Sequence, residues 1–119
     1  MSSSPNRKPE WDLETFNQIL SLASTKEKSG RLAMINALPD NSLVCLVDLI
    51  FNTLNGGVPL SRENVQKLRP ESGNLRQLSQ IRDLDETRKF LEQTGGSPVM
   101  ALLPVLISAA STILEHVLR

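Results

Sequence analysis

The chain has no tyrosine, one cysteine, one histidine and a formal net charge of zero. Each scarcity removes a class of function. Cys45 stands alone, so no intramolecular disulfide forms, which fits a reducing compartment. His116 and Cys45 lie far apart in the sequence and supply neither a Cys/His nucleophile pair nor a metal-ligand cluster. No cofactor, no small-molecule substrate and no enzymatic activity are expected. The aromatics are Trp11, Phe16, Phe51 and Phe90, too few for a platform on which bases stack. Thirteen Lys and Arg balance thirteen Asp and Glu, which argues against a strongly basic nucleic-acid condenser and against an acidic tail protein. The stretch from Met1 to Glu10 has no apolar segment of the secretory kind, so an intracellular location is expected.

What is present is helical periodicity. At 119 residues the chain is one domain, or one domain with a detachable segment. The pattern predicts an all-α fold, a compact bundle of about six or seven short helices. Residues 1–9 read as a disordered lead-in and residues 10–93 as the helical body. Trp11, Phe16, Ile19, Leu20 and Ala23 place a first helix over Glu10–Ser24, and Leu32, Ile35 and Leu38 a second over Glu27–Leu38. Leu43–Leu54 is apolar almost all round, which marks a buried central helix too short to span a bilayer. A strand over Leu43–Phe51 would find no second strand to pair with. Asn55-Gly56-Gly57 stops the central helix. Ser61 caps a short helix to Arg69 with Val65 and Leu68 inward, and Pro70 ends it. Leu75, Leu78 and Ile81 form another, and Asp83 with Glu86 makes a capping-box pattern for a helix to Gln93. Thr94-Gly95-Gly96 ends that one, and Ser97-Pro98 opens the last.

Positions 93–114 carry no charge. That length reaches across a bilayer, but Pro104 interrupts it. Ser108, Ser111, Thr112, Glu115 and Arg119 then fall on one polar face. Residues 97–119 therefore read as an apolar, then amphipathic, helix. It packs on the body, on a partner or second copy, or on a membrane surface, with Leu102, Leu103, Leu106, Ile113 and Val117 as contact residues.

Two clusters carry charge. Arg62, Lys67, Arg69, Arg76 and Arg82 outnumber Glu63 and Glu71 and offer weak, non-specific phosphate contact, against the plainer reading of a solvated face. Asp83, Asp85 and Glu86 are explained better by helix capping than by Mg²⁺ binding.

Asn55-Gly56-Gly57-Val58-Pro59-Leu60-Ser61, then Lys67-Leu68-Arg69 and Leu75-Arg76-Gln77-Leu78, resemble small proteins of Polinton (Maverick) elements and their adintovirus relatives. In those proteins a helical, Lys-rich block ends in Gly-Gly and an apolar tail. Here Arg88–Gly96 followed by Ser97–Ala110 has that form, and it is also similar to the C-terminal part of the precursor of the adenovirus core protein mu. The resemblance covers residues 43–110. It implies a minor virion or core-associated protein, present in the virion as well as in the host cytoplasm or nucleus. It also implies processing by an adenain-like cysteine protease after Gly96, with Gly95, Gly96 and Ser97 at the junction. One departure matters: residues 61–93 hold seven cations against six anions, where the family's block is strongly basic. That shifts the expectation from genome condensation toward protein–protein contact. The alternatives are a nucleic-acid-binding helical module and a cellular helical adaptor with a hydrophobic groove. Cleavage needs an extended, accessible backbone; otherwise Gly95-Gly96 simply caps one helix and turns into the next.

Overall fold

Helix starts and stops follow local chemistry. In the computed structural model, which describes residues 9–57 and 60–107, α1 spans Leu13–Ser24. It begins at Leu13 rather than Glu10 because Asp12 is extended and its carboxylate accepts the Thr15 N–H at 2.7 Å. The residues before it are tied down instead: the Glu10 N–H donates to Asn41 Oδ1 at 3.2 Å and Asn41 Nδ2 donates to the Glu10 carbonyl at 2.8 Å. Helix α2 spans Lys28–Ala37 and stops at Leu38, which precedes Pro39 and is extended. Pro39 takes the cap position of α3, Asp40–Leu54, so this helix starts three residues before the expected Leu43.

The next helices are short. Helix α4, Arg62–Leu68, is capped by Ser61, whose Oγ accepts the Asn64 N–H at 3.1 Å. Pro70 does not end the path. It turns it through a 3₁₀ segment, Arg69–Glu71, into α5, Ser72–Gln80. Val65 is exposed, not inward, and only Leu68 of α4 is buried. Helix α6 spans Leu84–Gln93 without the expected capping box: the Asp83 side chain caps nothing. The Asp83 carbonyl accepts the Thr87 N–H at 2.9 Å, the first bond of the helix, and also the Thr87 hydroxyl at 3.0 Å. Helix α7, Ser97–Ala101, follows a left-handed Gly96, and residues 103–107 are helical again. The fold is all-α, with no strand among the described residues.

Helix α3 is the hub, packing on α1, α5 and α6. Leu43, Cys45, Leu46 and Ile50 are wholly buried, as are Ile19 and Leu22 of α1, Leu78 of α5 and Leu91 of α6. Burying each large aliphatic side chain stabilises the fold by roughly 1.5–3 kcal/mol. The hub is not enclosed all round, however: Phe51 is 53% exposed and Leu54 37%.

Residues 97–107 are not a separate unit. Helix α7 packs on α1, and Val99, Leu102, Val105 and Leu106 are completely buried in the same core. No single described helix is long and apolar enough to cross a membrane. Helices α2 and α3 pass that test only as a pair bent by 115°.

Candidate functional site

The uncovered side of α3 forms one wall of a groove of about 680 Å³, with the end of α5 and the start of α6 opposite. Its origin is local. Helix α5 turns Leu75 and Leu78 inward and then ends at Gln80, and Ile81 is extended. Between α5 and α6 the chain leaves Val47, Phe51 and Leu54 uncovered, and these line the groove with Ile81. A groove of this size, with apolar side chains set among polar ones, suits two or three anchoring side chains of a peptide.

Charge is unevenly placed there. Arg76 and Arg82 stand at the rim, both exposed, and neither makes an ion pair among the described residues. Asp48 is half-buried in the wall. Burial pushes its carboxyl above the usual carboxylate range, while a hydrogen bond from the Trp11 side chain pulls the other way. Asn52 Nδ2 also donates to Asp48 Oδ2 at 3.2 Å. Asp48 is therefore an occupied acceptor that still carries its charge, and Arg76 and Arg82 outweigh it in the groove lining.

Behind this wall Cys45 is wholly buried. Burial first, and the Asp48 charge second, push its thiol up to about 12, so it stays protonated and is a packing group rather than a nucleophile. His116 lies outside the described residues. No group of three or more His, Cys, Asp or Glu stands close enough to hold a metal ion among the described residues. Asp83, Asp85 and Glu86 are exposed around the start of α6.

The five basic candidates are not gathered into one surface site. Arg62 and Lys67 sit on α4, with Lys67 3.7 Å from Glu63, and Arg69 opens the 3₁₀ segment. Only Arg76 and Arg82 reach the groove. The C-terminal contact residues divide as well. Leu102 and Leu106 are wholly buried in the chain's own core, so they are not surface contacts, and Leu103 is half-buried. Ile113 and Val117 lie outside the described residues.

The Gly95–Gly96 junction is a closed turn. Gly95 and Gly96 have φ of 68° and 78°, and both are buried. The Gly95 N–H donates to the Glu92 carbonyl at 3.1 Å and the Gly96 N–H to the Leu91 carbonyl at 2.9 Å, the paired bonds of a glycine helix ending. The extended, accessible backbone that proteolytic processing requires is absent from this folded form, because a side chain from α2 closes the turn. Arg31, only 7% exposed, donates from Nε to the Gly95 carbonyl at 2.8 Å. Its Nη1 donates to the Thr25 and Lys26 carbonyls at 3.1 and 2.7 Å.

Arg88 performs a similar task at the end of α2. Its Nη1 donates to the Ile35 and Leu38 carbonyls at 2.7 and 2.8 Å, and its Nη2 pairs with Asp40 at 3.1 Å. Cations suit these sites because the last carbonyls of a helix lack intrahelical donors. Neither arginine stands out in the sequence as a helix-end donor. The one signal was position: Arg31 falls four residues before Ile35, and Arg88 four after Leu84, on the buried stripes of their helices.

A second, shallow depression of about 670 Å³ lies between α1 and α2, lined by Leu13, Glu14, Met34 and Leu38 among others. Leu13 is 51% exposed at its edge. Comparison of the chain with protein-family models, with curated proteins and with solved structures finds no match.

Proposed function

We propose that the protein is a non-enzymatic structural or interaction protein, a minor virion or core-associated component of a virus or virus-like mobile element. The observation that carries the interaction reading is the groove on α3, where Phe51 is 53% exposed on the helix that otherwise forms the centre of the core. Large apolar side chains, rimmed by cations without ion-pair partners among the described residues, support the reading of a surface that meets another protein. The virion assignment rests on the resemblance of residues 43–110 to Polinton-type proteins and the mu precursor, and it places the chain in the host cytoplasm or nucleus and in the particle. The test is co-expression with a capsid protein of a Polinton-type element, followed by density-gradient sedimentation. The chain is expected to travel with assembled particles, and to be lost from them in the Phe51→Asp variant. Wild-type chain left at the top of the gradient would overturn the assignment.

The second reading is a helical nucleic-acid-binding module, favoured by the exposure of Arg62, Lys67, Arg69, Arg76 and Arg82. Their spread over several elements and the zero net charge support weak, salt-sensitive contact at most. Tight binding that persists at high salt and is abolished by Arg69→Glu with Arg76→Glu would promote this reading to first place.

A further inference from the structure

We propose that the groove on α3 receives the first turn of α1 from a second copy of the chain, and that the two copies form a two-fold dimer in which each fills the other's groove. The inference deepens the interaction reading and rests on it. Three observations lead there.

The first is charge. The groove lining carries Arg76 and Arg82, without ion-pair partners among the described residues, against one carboxylate, Asp48, so its net charge is positive. The start of α1 carries Glu10, Asp12 and Glu14, all exposed, and none of them is in a described ion pair. Asp12 is held in its anionic form by the hydrogen bonds from Thr15, which lower its carboxyl below the usual range. Opposite charges at the two places attract, and a chain of zero net charge has no overall repulsion between copies.

The second is shape. Leu13 projects from that acidic turn with half its surface in water, and the groove presents Phe51, Leu54 and Val47. An apolar side chain flanked by carboxylates thus faces an apolar slot flanked by guanidinium groups. Burial of such a central apolar contact, ringed by charge pairs, is the usual anatomy of a specific interface.

The third is proximity within one copy. Pro9 lines the groove, and Leu13 is four residues further along the chain. At most about 14 Å of backbone separates them. Only a short stretch of chain therefore joins tongue to groove, and in the two-fold arrangement each tongue enters the partner's groove. A reciprocal arrangement of this kind closes at two copies. Two small contacts make a weak dimer, below the roughly 800 Å² per partner of a standard interface.

The experiment uses the full chain in sedimentation equilibrium across concentration, with circular dichroism as the folding control. The wild type is expected to pass from monomer to dimer and stop there, with the dimer weakening as salt rises. Two charge-reversed variants sharpen the test: Glu10→Arg with Glu14→Arg on the tongue, and Arg76→Glu with Arg82→Glu on the groove. All four positions are exposed, so both variants are expected to fold, as circular dichroism checks. Each alone is expected to remain monomeric, since like charges then meet at both contacts. Mixed in equal amounts they are expected to restore the dimer, because every tongue again meets a groove of opposite sign. A wild type that stays monomeric at about 1 mM, growth beyond the dimer, or a mixture that fails to dimerise would each overturn the proposal. A monomeric chain that still travels with particles would overturn the dimer alone and leave the interaction reading in place.

Discussion

After α3 the chain reads Asn55-Gly56-Gly57, and after α6 it reads Thr94-Gly95-Gly96. The two turns share their backbone hydrogen bonds. Gly56 and Gly95 have φ of 76° and 68°. Their N–H groups donate to the Thr53 and Glu92 carbonyls at 3.4 and 3.1 Å, and the N–H groups of Gly57 and Gly96 to the Asn52 and Leu91 carbonyls at 2.7 and 2.9 Å. Yet Gly56 and Gly57 lie in solvent, while Gly95 and Gly96 are buried. A Cβ added at Gly56 would meet nothing within 4 Å, whereas one at Gly96 would stand 3.2–3.3 Å from Arg31 and Ile35. The same local device thus ends one helix at the surface and latches two parts of the core at the other. The difference comes from Arg31, which is 64 residues from Gly95 in sequence.

Removing Arg31 breaks the contrast most directly. Arg31→Met leaves the Gly95, Thr25 and Lys26 carbonyls without their charged donor and is expected to destabilise the fold by about 3 kcal/mol in denaturant titration. Limited proteolysis reads the same change. In the wild type, cleavage at Asn55–Gly57 is expected well before any at Gly95–Gly96. In Arg31→Met the second site opens as well. Early cleavage at Gly95–Gly96 in the wild type would show that the latch does not protect the junction, and would return the processing expectation to the folded protein.

The glycines themselves give a smaller and graded effect. Both turns oppose a side chain at positive φ, so Gly56→Ala is expected to cost about 1 kcal/mol. Gly96→Ala adds a close approach to a pinned arginine and a core isoleucine, and about 2 kcal/mol is expected. Gly95→Ala falls between them. Its new Cβ would lie 2.9 Å from Lys28 Cε, the movable end of an exposed side chain. Equal thermal shifts for Gly56→Ala and Gly96→Ala would erase the distinction between the turns.

The smallest effect belongs to the groove that Asn55 borders. The Asp48 carboxyl is raised in the fold, so ionising it opposes folding. That cost is absent at low pH and appears as pH rises through the raised range. Asp48→Asn is therefore expected to be slightly more stable than wild type at neutral pH, with the difference shrinking as pH falls through the carboxylate range. Asp12 has the opposite sign: its lowered carboxyl contributes stability above the usual carboxylate range that is lost on further acidification. Asp12→Asn should flatten the acid limb of the stability profile. An Asp48→Asn gain that is independent of pH would place its cause in packing rather than charge.

Much of this fold was legible because its signals are local. The apolar runs, Pro39, Ser61 and the two Gly-Gly pairs mark helices and their ends through backbone sterics and capping, which need no distant partner. Other local patterns were not realised. The Asp83/Glu86 pattern predicts a side-chain cap, and the Asp83 side chain caps nothing. An all-round apolar α3 suggested complete burial, but α5 ends too early to cover Phe51. The candidate groove was not legible, since it exists only where α5 fails to reach.

Helical class, the order of the helices among the described residues and most of the places where they stop belong to the sequence itself, through periodicity and glycine and proline stereochemistry acting within a few residues. Tertiary structure decided which of two like turns is buried, which arginines become internal donors and which remain free, and that Leu102 and Leu106 join the core rather than face a partner. Those outcomes depend on helices far apart in the chain competing for the same apolar surface and the same unpaired carbonyls, and that competition is resolved only when all of them are packed together.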